Sequence, residues 1–140
     1  MLLTIVCDIH YNVTHRERKN GKGHSYQMEE LNEILSSLTL ELRRGTIVLS
    51  VLSQLSKPQY GYTLVKAMED KGVPIDTNTL YPLLRRLEKQ GLLISEWETD
   101  GSKPRKYYRR TILGDAVYDR LVKQWREMTE SMNHLLEQGV

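Results

Sequence analysis

Residues 76–93 read DTNTLYPLLRRLEKQGLL, and this stretch decides the fold. Asp76 is a residue type that caps helix N-termini, and Gly91 is one that commonly ends helices. Four leucines between them are spaced by three and four residues: Leu80, Leu83, Leu84 and Leu87. This spacing predicts an amphipathic helix that buries one leucine stripe. Pro82 falls near the helix start, and because the leucine spacing continues past it, it predicts a kink rather than a break.

The face of this helix opposite the leucine stripe is polar and cationic. At about 100° per residue, the residues pointing directly away from the leucines are Asn78, Pro82, Arg85 and Lys89, with Thr79, Tyr81 and Arg86 beside them. Arg can bond guanine and Asn can bond adenine, so this face suits the DNA major groove if the helix is the second of a helix-turn-helix. The alternative interpretation is an ordinary solvated helix face.

Three further helices are predicted before this one. Met28 opens a row of apolar residues at helical spacing that ends at Leu42, a second helix follows Gly45, and a third ends at Gly72. Residues 1–27 are polar and turn-rich after an apolar start, and we expect them to form a weakly ordered N-terminal extension. One alternative is that Met28 is the natural start of the protein.

A β-hairpin is predicted after the leucine-rich helix. Residues 92–98, LLISEWE, and 104–111, PRKYYRRT, have strand composition, and residues 100–102 form a turn signal. Five cations lie in this segment: Lys103, Arg105, Lys106, Arg109 and Arg110. The first three lie near the turn and are better placed for DNA phosphates than the last two. The alternative is an edge strand that carries charge against aggregation.

Two neighbouring tyrosines interrupt these cations. Because successive strand residues face opposite sides of a sheet, one of Tyr107 and Tyr108 is expected to pack inward and the other to face outward. The pattern does not distinguish which one is inside.

The C-terminal segment, residues 112–140, predicts a long helix with an apolar seam. The seam residues repeat with a heptad spacing: Tyr118, Leu121, Trp125, Met128, Met132 and Leu135. Such a seam is typical of helices that pair with another helix, so we expect a dimer interface here. The fold class predicted is mainly α with a small β-hairpin (α+β). It is a winged helix-turn-helix within residues 28–111, flanked by an N-terminal helix and a C-terminal dimerisation helix.

The net charge of +2 is unevenly distributed. Residues 43–111 contain thirteen Lys and Arg against seven Asp and Glu, whereas the segments on either side are each net negative. The cationic field therefore lies on the predicted helix-turn-helix and hairpin, where an anionic partner is expected.

Several other classes of function find no support in the sequence. Cys7 is the single cysteine, and the four histidines lack ligand spacing, so we expect neither a metal nor a cofactor. The sequence contains neither a nucleophile–base signature nor a Gly-rich phosphate loop, so no motif indicates an enzyme. No apolar run approaches the ~20 residues that cross a bilayer, and residues 2–9 lack the flanks of a signal peptide. A cytoplasmic protein is therefore expected.

Four motifs in this order resemble the PadR-type transcriptional regulators, named for a phenolic acid decarboxylase repressor. They are LRRGTIVLSVL at 42–52, YGYTLV at 60–65, TLYPLLRRLEKQGLL at 79–93 and PRKYYRRT at 104–111. The resemblance implies a homodimeric bacterial repressor that reads a palindromic operator, with C-terminal helices paired across the dimer. Residues 1–27 have no counterpart in the family pattern.

The resemblance also implies roles for individual residues. On the leucine-rich helix it implies DNA contacts by Thr77, Asn78, Thr79 and Tyr81, with Arg85 and Arg86 at phosphates. On the wing, which is the predicted hairpin, it implies DNA contacts by Ser102, Lys103, Arg105 and Lys106. Family members that respond to small aromatic or drug-like molecules bind them near the dimer core, where Trp125 could stack on a planar effector; the alternative is that Trp125 only packs the dimer. A winged-helix protein-interaction module without DNA binding is the competing function.

Overall fold

The computed structural model describes residues 23–137 and is mainly helical with one small antiparallel sheet, as the sequence predicts. The elements run in the order α1 (Gly23–Ser53), β1 (Gln59–Tyr60), α2 (Gly61–Asp70), α3 (Thr77–Lys89), β2 (Leu93–Glu98), β3 (Arg105–Arg110) and α4 (Ile112–Glu137). Helices α2 and α3, followed by the β2–β3 wing, form the predicted winged helix-turn-helix. Most of the predicted N-terminal extension, residues 1–22, lies outside the described residues.

Helix α1 corrects one prediction from the sequence. The two helices predicted before and after Gly45 are one continuous helix, which begins at Gly23 and ends at Ser53. Glycine lowers helix stability by about 1 kcal/mol but breaks a helix only where the backbone must turn. Gly45 has no positive φ, and no proline accompanies it. Thr46 and Ser50 donate their hydroxyls to the carbonyls of Arg43 and Thr46, both at 2.8 Å, within the uninterrupted helix.

The described chain divides into two compact units between Leu42 and Arg43. The second unit, Arg43–Val140, contains the winged helix-turn-helix together with α4. The described part of the first unit is the beginning of α1, and its row of apolar side chains is exposed: Met28, Leu31, Leu35, Leu38 and Leu42. Within residues 23–137, no helix has an apolar segment long enough to cross a membrane.

The core of the second unit is built around α3. All four leucines of its predicted stripe are buried: Leu80, Leu83, Leu84 and Leu87. They pack in one cluster with Val51, Leu52 and Leu55 from the end of α1 and its turn, with Leu64 and Met68 of α2, and with Leu93 and Tyr108 of the sheet. Full burial of each leucine side chain contributes roughly 1.5–3 kcal/mol, so this stripe determines which face of α3 remains outside.

The ends of α2 and α3 follow the sequence signals closely. Asp76 caps α3, because its carboxylate accepts a hydrogen bond from the N–H of Asn78 at 2.9 Å. Gly72 and Gly91 end α2 and α3 with a φ of 78° each, a conformation that favours glycine. After Gly91, the N–H of Leu92 returns to the carbonyl of Leu87 at 3.0 Å, which turns the chain sharply into β2.

The sheet contains one strand more than the predicted hairpin. Its order is β1-β3-β2, and β3 pairs antiparallel with both neighbours. Tyr108 is 4% exposed and belongs to the core, so it is the inward member of the tyrosine pair. Tyr107 faces the other side, where it pairs with Tyr60 of β1.

Helix α4 begins where β3 ends, and Thr111 is its N-cap. The Thr111 hydroxyl accepts from the N–H of Gly114 at 3.0 Å and donates to the carbonyl of Gly91 at 2.7 Å. Gly114 is buried against the backbone of Leu92 so closely that a Cβ at this position would collide with the Leu92 carbonyl. The first turn of α4 therefore lies directly against the α3–β2 turn.

We predict that Gly114→Ala destabilises the protein by at least about 2–3 kcal/mol, because the obstructing atoms belong to backbone and cannot rotate away. Gly45→Ala is the matched control, since nothing lies within 4 Å of a Cβ built there and the substitution improves helix propensity by about 0.5–1 kcal/mol. Urea unfolding of both variants measures the difference. Equal effects of the two substitutions would contradict the close approach of α4 to Leu92.

Candidate nucleic-acid interface

The face of α3 that is predicted to contact DNA is exposed. Thr77, Asn78, Thr79, Tyr81, Arg85 and Arg86 all lie on the solvent side of the helix, opposite the buried leucines. The helix continues through Pro82, which lies exposed in the middle of this face. Because Pro82 has no N–H, the carbonyl of Asn78 has no i+4 donor within the helix and remains an acceptor for water or a ligand.

Helix α1 adds a cation that sequence reasoning did not assign to this face. Arg44 and Arg86 line one open cleft between α1 and α3. The other lining residues are Ile47 and Val48 of α1 and Asn78, Thr79, Pro82 and Leu83 of α3. The linear pattern places Arg44 some forty residues from Arg86, so only the packing of α1 on α3 could show that these two side chains lie along the same cleft.

The ring of Tyr81 occupies space that is open only because residue 61 is a glycine. Gly61, the first residue of α2, is buried under the phenol ring of Tyr81, and a Cβ at position 61 would collide with the end of that ring. Tyr81 nevertheless remains 41% exposed. The YGY motif at residues 60–62 thus provides the space that lets Tyr81 lie between α3 and α2 while still facing solvent.

The alternation of side chains along β3 places the predicted DNA-contacting cations of the wing on opposite faces of the sheet. Ser102, Lys103 and Arg105 are exposed. Arg105 lies on the outward face of the sheet, with its guanidinium 4.8 Å from the ring centroid of Tyr60. Tyr60 packs in turn on Tyr107, with ring centroids 5.4 Å apart. These two aromatic contacts position the Arg105 guanidinium on the outward face of the wing.

Lys106 faces the opposite side of the wing and has a different environment. Its ammonium lies 3.6 Å from the carboxylate of Glu88 on α3 and is half-buried. It also lies over the rings of Trp97 and Tyr108, at 5.9 and 5.4 Å from their centroids. Lys106 therefore joins the wing to α3, and a phosphate contact by this residue would compete with Glu88.

Two organising residues of the wing were missed in the sequence analysis. Glu88 accepts a hydrogen bond from Ser95 and pairs with Lys106, so it holds both wing strands against α3. Trp97 is 63% exposed on the same side of the sheet as Lys106. The sequence signal for Glu88 was its position next to the last residue of α3, but its partners Ser95 and Lys106 come from the two wing strands and are revealed only by the packing of the wing on α3.

The predicted dimer seam of α4 divides into two parts. Tyr118 and Leu121 are half-buried because they pack against the core of their own unit. The remaining seam residues are exposed along one row: Trp125, Met128, Met132 and Leu135. Trp125 is the least exposed of these, at 38%. The interface and effector roles of this row stay predictions.

Comparison with known proteins identifies relatives for most of the chain. The model of the Transcriptional regulator PadR-like family matches residues 48–120, which is more than half of the sequence. A transcriptional regulator of Mycobacterium tuberculosis is 33% identical over 78 residues, covering 55% of this chain and 73% of the relative.

Solved structures agree with this match. The crystal structure of a PadR family transcriptional regulator from Eggerthella lenta is 56% identical, with a TM-score of 0.74, and covers 78% of this chain and 97% of its own. A PadR-like transcription factor from Bacteroides fragilis is 32% identical with a TM-score of 0.60, over 71% of this chain and 98% of its own.

We predict that Gly61→Ala and Tyr81→Ala are strongly coupled. With Tyr81 present, the alanine methyl displaces the phenol ring and costs about 1–3 kcal/mol; without the ring, Gly61→Ala becomes neutral or slightly stabilising. A double-mutant cycle by urea unfolding should therefore give a coupling of at least about 1 kcal/mol. Tyr81→Phe keeps most of the ring and serves as the control that retains the coupling. Additive effects of the two alanine substitutions would contradict this packing.

Proposed function

The chain belongs to the PadR-like family of transcriptional regulators, and we propose that it is a ligand-responsive repressor that binds a palindromic DNA operator as a homodimer. The observation that carries the proposal is the exposed cationic surface formed by one face of α3 and the tip of the wing. Thr77, Asn78, Thr79 and Tyr81 are exposed on this surface, and we assign DNA contacts to them.

The distribution of carboxylates supports this surface as the DNA contact. Glu88 is the only acidic residue within α3, and its carboxylate pairs with Lys106 and accepts a hydrogen bond from Ser95. Arg85, Arg86, Lys103 and Arg105 form no ion pair with another described residue, so their charge faces solvent. Exposed cations without partners attract phosphates, and phosphate contacts supply most of the affinity for DNA. We assign Arg85, Arg86, Ser102, Lys103 and Arg105 to phosphates, and Lys106 to phosphate only if it leaves Glu88.

The exposed row of α4 supports a dimer. An apolar row that repeats at heptad spacing over the outer half of a helix is stabilised by pairing with a second helix. In a two-fold dimer the same row of each copy contacts the other, so one helix face provides the whole interface. Two recognition helices held in this way would match two half-sites of a palindrome.

Ligand response is proposed for Trp125, which lies at the centre of the α4 seam and is partly exposed. Two copies of this indole facing each other would form a stacking platform for a planar aromatic effector. Titration of small aromatic and drug-like compounds against tryptophan fluorescence tests the idea, with Trp125→Phe as the variant that should lose the response. A dimer in which no such compound binds would leave Trp125 as dimer packing only.

The competing function is a winged-helix module that binds protein and not DNA. The two functions differ in their salt dependence, because log affinity for DNA falls linearly with log salt according to the number of phosphates neutralised. Gel shifts on the promoter of its own or a neighbouring gene, at several salt concentrations, therefore separate them. A shallow slope, or absence of binding to either promoter, would favour the protein-binding module.

We predict that Lys103→Ala and Arg105→Ala weaken binding to all DNA sequences alike and each lower the salt slope by roughly one, because each removes one phosphate contact. Asn78→Ala should leave the salt slope unchanged and relax the preference at particular base pairs, by about 1–3 kcal/mol per contact. Binding to a set of single-base-pair operator variants measures both effects. Uniform weakening by Asn78→Ala would contradict base reading by this residue.

We predict that Met128→Glu converts the dimer into monomers and lowers operator affinity, because a buried carboxylate in the seam has no partner. Met128 is preferred over Leu121 for this test because its side chain is 64% exposed and does not contribute to the core of its own unit. Lys123→Glu, on the opposite side of α4, is the control and should remain dimeric. Light scattering measures the mass, and a dimeric Met128→Glu variant would show that the seam is assigned wrongly.

A further inference from the structure

The side chain of Arg110, the last residue of β3, is almost withdrawn from solvent. It is 11% exposed, although it lies in a segment rich in exposed cations. Its Nε donates to the carboxylate of Asp115 on α4 at 2.8 Å, and its Nη1 donates to the carbonyl of Leu52 on α1 at 2.8 Å. The backbone N–H of Arg110 donates to the carbonyl of Leu55 at 2.9 Å. One residue thus joins α1, β3 and α4.

The flat face of the same guanidinium has a further partner. It lies over the ring of Tyr118, with its central carbon 4.1 Å from the ring centroid. Tyr118 is the first residue of the heptad seam on α4. The Arg110 side chain therefore contacts α4 at two successive turns, at Asp115 and at Tyr118, and this fixes the direction of the helix as well as its position.

The Arg110 side chain compensates the partial negative charge at the end of α1. The last turn of a helix leaves carbonyls without their usual donors and carries a partial negative charge. The last turn of α1 contains no basic residue of its own. Arg110 supplies the cation from 58 positions along the chain. Lysine could not replace it, because only guanidinium can donate in two directions while stacking on a ring.

Arg109, the preceding residue, provides the contrast. It pairs with Ile94 in the sheet register, faces the outer side of the wing and is exposed. The two arginines are adjacent in sequence, but the pleat directs them to opposite faces. Arg109 is open to solvent, whereas Arg110 is enclosed by protein groups and is not available to a phosphate.

We propose that Arg110 is a positioning residue that fixes the direction in which α4 leaves the DNA-binding unit, and thereby the separation of the two recognition helices. This inference rests on the proposed dimeric binding to a palindrome. From Asp115 to Leu135, α4 extends about 30 Å at 1.5 Å per residue. A tilt of about 10° at its base moves the far end by roughly 5 Å, which exceeds the 3.4 Å rise of one base pair.

The experiment uses a palindromic site selected in vitro with the wild-type protein, with the spacer between its half-sites lengthened and shortened in steps of one base pair. The wild type should prefer one spacer by about tenfold over its neighbours, because two recognition helices held at a fixed separation match half-sites at one spacing. Arg110→Gln should reduce that preference to about threefold or less. Its salt slope on a single half-site should be unchanged, because no phosphate contact is lost.

The controls separate this role from others. Arg109→Gln is matched in charge and position and should keep the wild-type spacer preference. Asp115→Ala keeps Arg110 but removes the carboxylate that its Nε contacts, so it should give an intermediate spacer preference. If the melting temperature shows that Arg110→Gln does not fold, Asp115→Ala is the variant that tests the positioning role.

Three outcomes would overturn the inference, and they are distinguishable. An unchanged spacer preference in Arg110→Gln would contradict the positioning role alone, and Asp115→Ala takes its place in this test if Arg110→Gln does not fold. A salt slope lowered by roughly one in Arg110→Gln would also contradict the positioning role alone. A wild-type protein that binds one half-site as tightly as two would overturn the proposed dimeric operator binding and the positioning role with it.

Discussion

Burial of the leucine stripe on α3 is the constraint on which the rest of the structure depends. Four leucines on one face of a thirteen-residue helix fix its rotation against α1, α2 and the sheet. Once that rotation is fixed, the opposite face can only point to solvent, and it carries Asn78, Arg85 and the exposed Tyr81. The function proposed for the chain is therefore a consequence of its hydrophobic core, because the core orients the polar face without any dedicated interaction.

Carboxylates determine which of the cations remain available to a ligand. Glu88 neutralises Lys106 and Asp115 neutralises Arg110, and both pairs join elements of the fold. Arg105 lies over an aromatic ring and forms no ion pair with another described residue. The positive charge of this region is thus divided into a structural part on the inner side of the wing and an exposed part on its tip, on its outer side and on α3.

Sequence reasoning predicted the elements whose signals are local. The leucine spacing, the Asp76 cap and the glycines at 72 and 91 marked α2 and α3 correctly, because a helix and its caps involve residues within one turn of each other. The two-residue strand β1 was missed because its stability comes from pairing with β3 and not from its own composition. Gly45 was misread as a helix end, since a glycine breaks a helix only when the backbone beyond it must turn. Arg44 and Glu88 were missed for a related reason, because packing between distant segments determines which residues lie beside them.

The adjacent cations of β3 show how far such reasoning can be extended. Once Tyr108 is known to be the inward residue, strand alternation places Lys106 and Arg110 inside and Arg105 and Arg109 outside. A single buried tyrosine therefore assigns four cations to two faces. The side chains on the inner face need carboxylates or ring faces to offset their desolvation, and the structure provides both for each of them. In a cation-rich strand of this kind, the role of each cation should accordingly be predicted from the face of the sheet on which it lies. Proximity to the turn alone would assign Arg105 and Lys106 the same role.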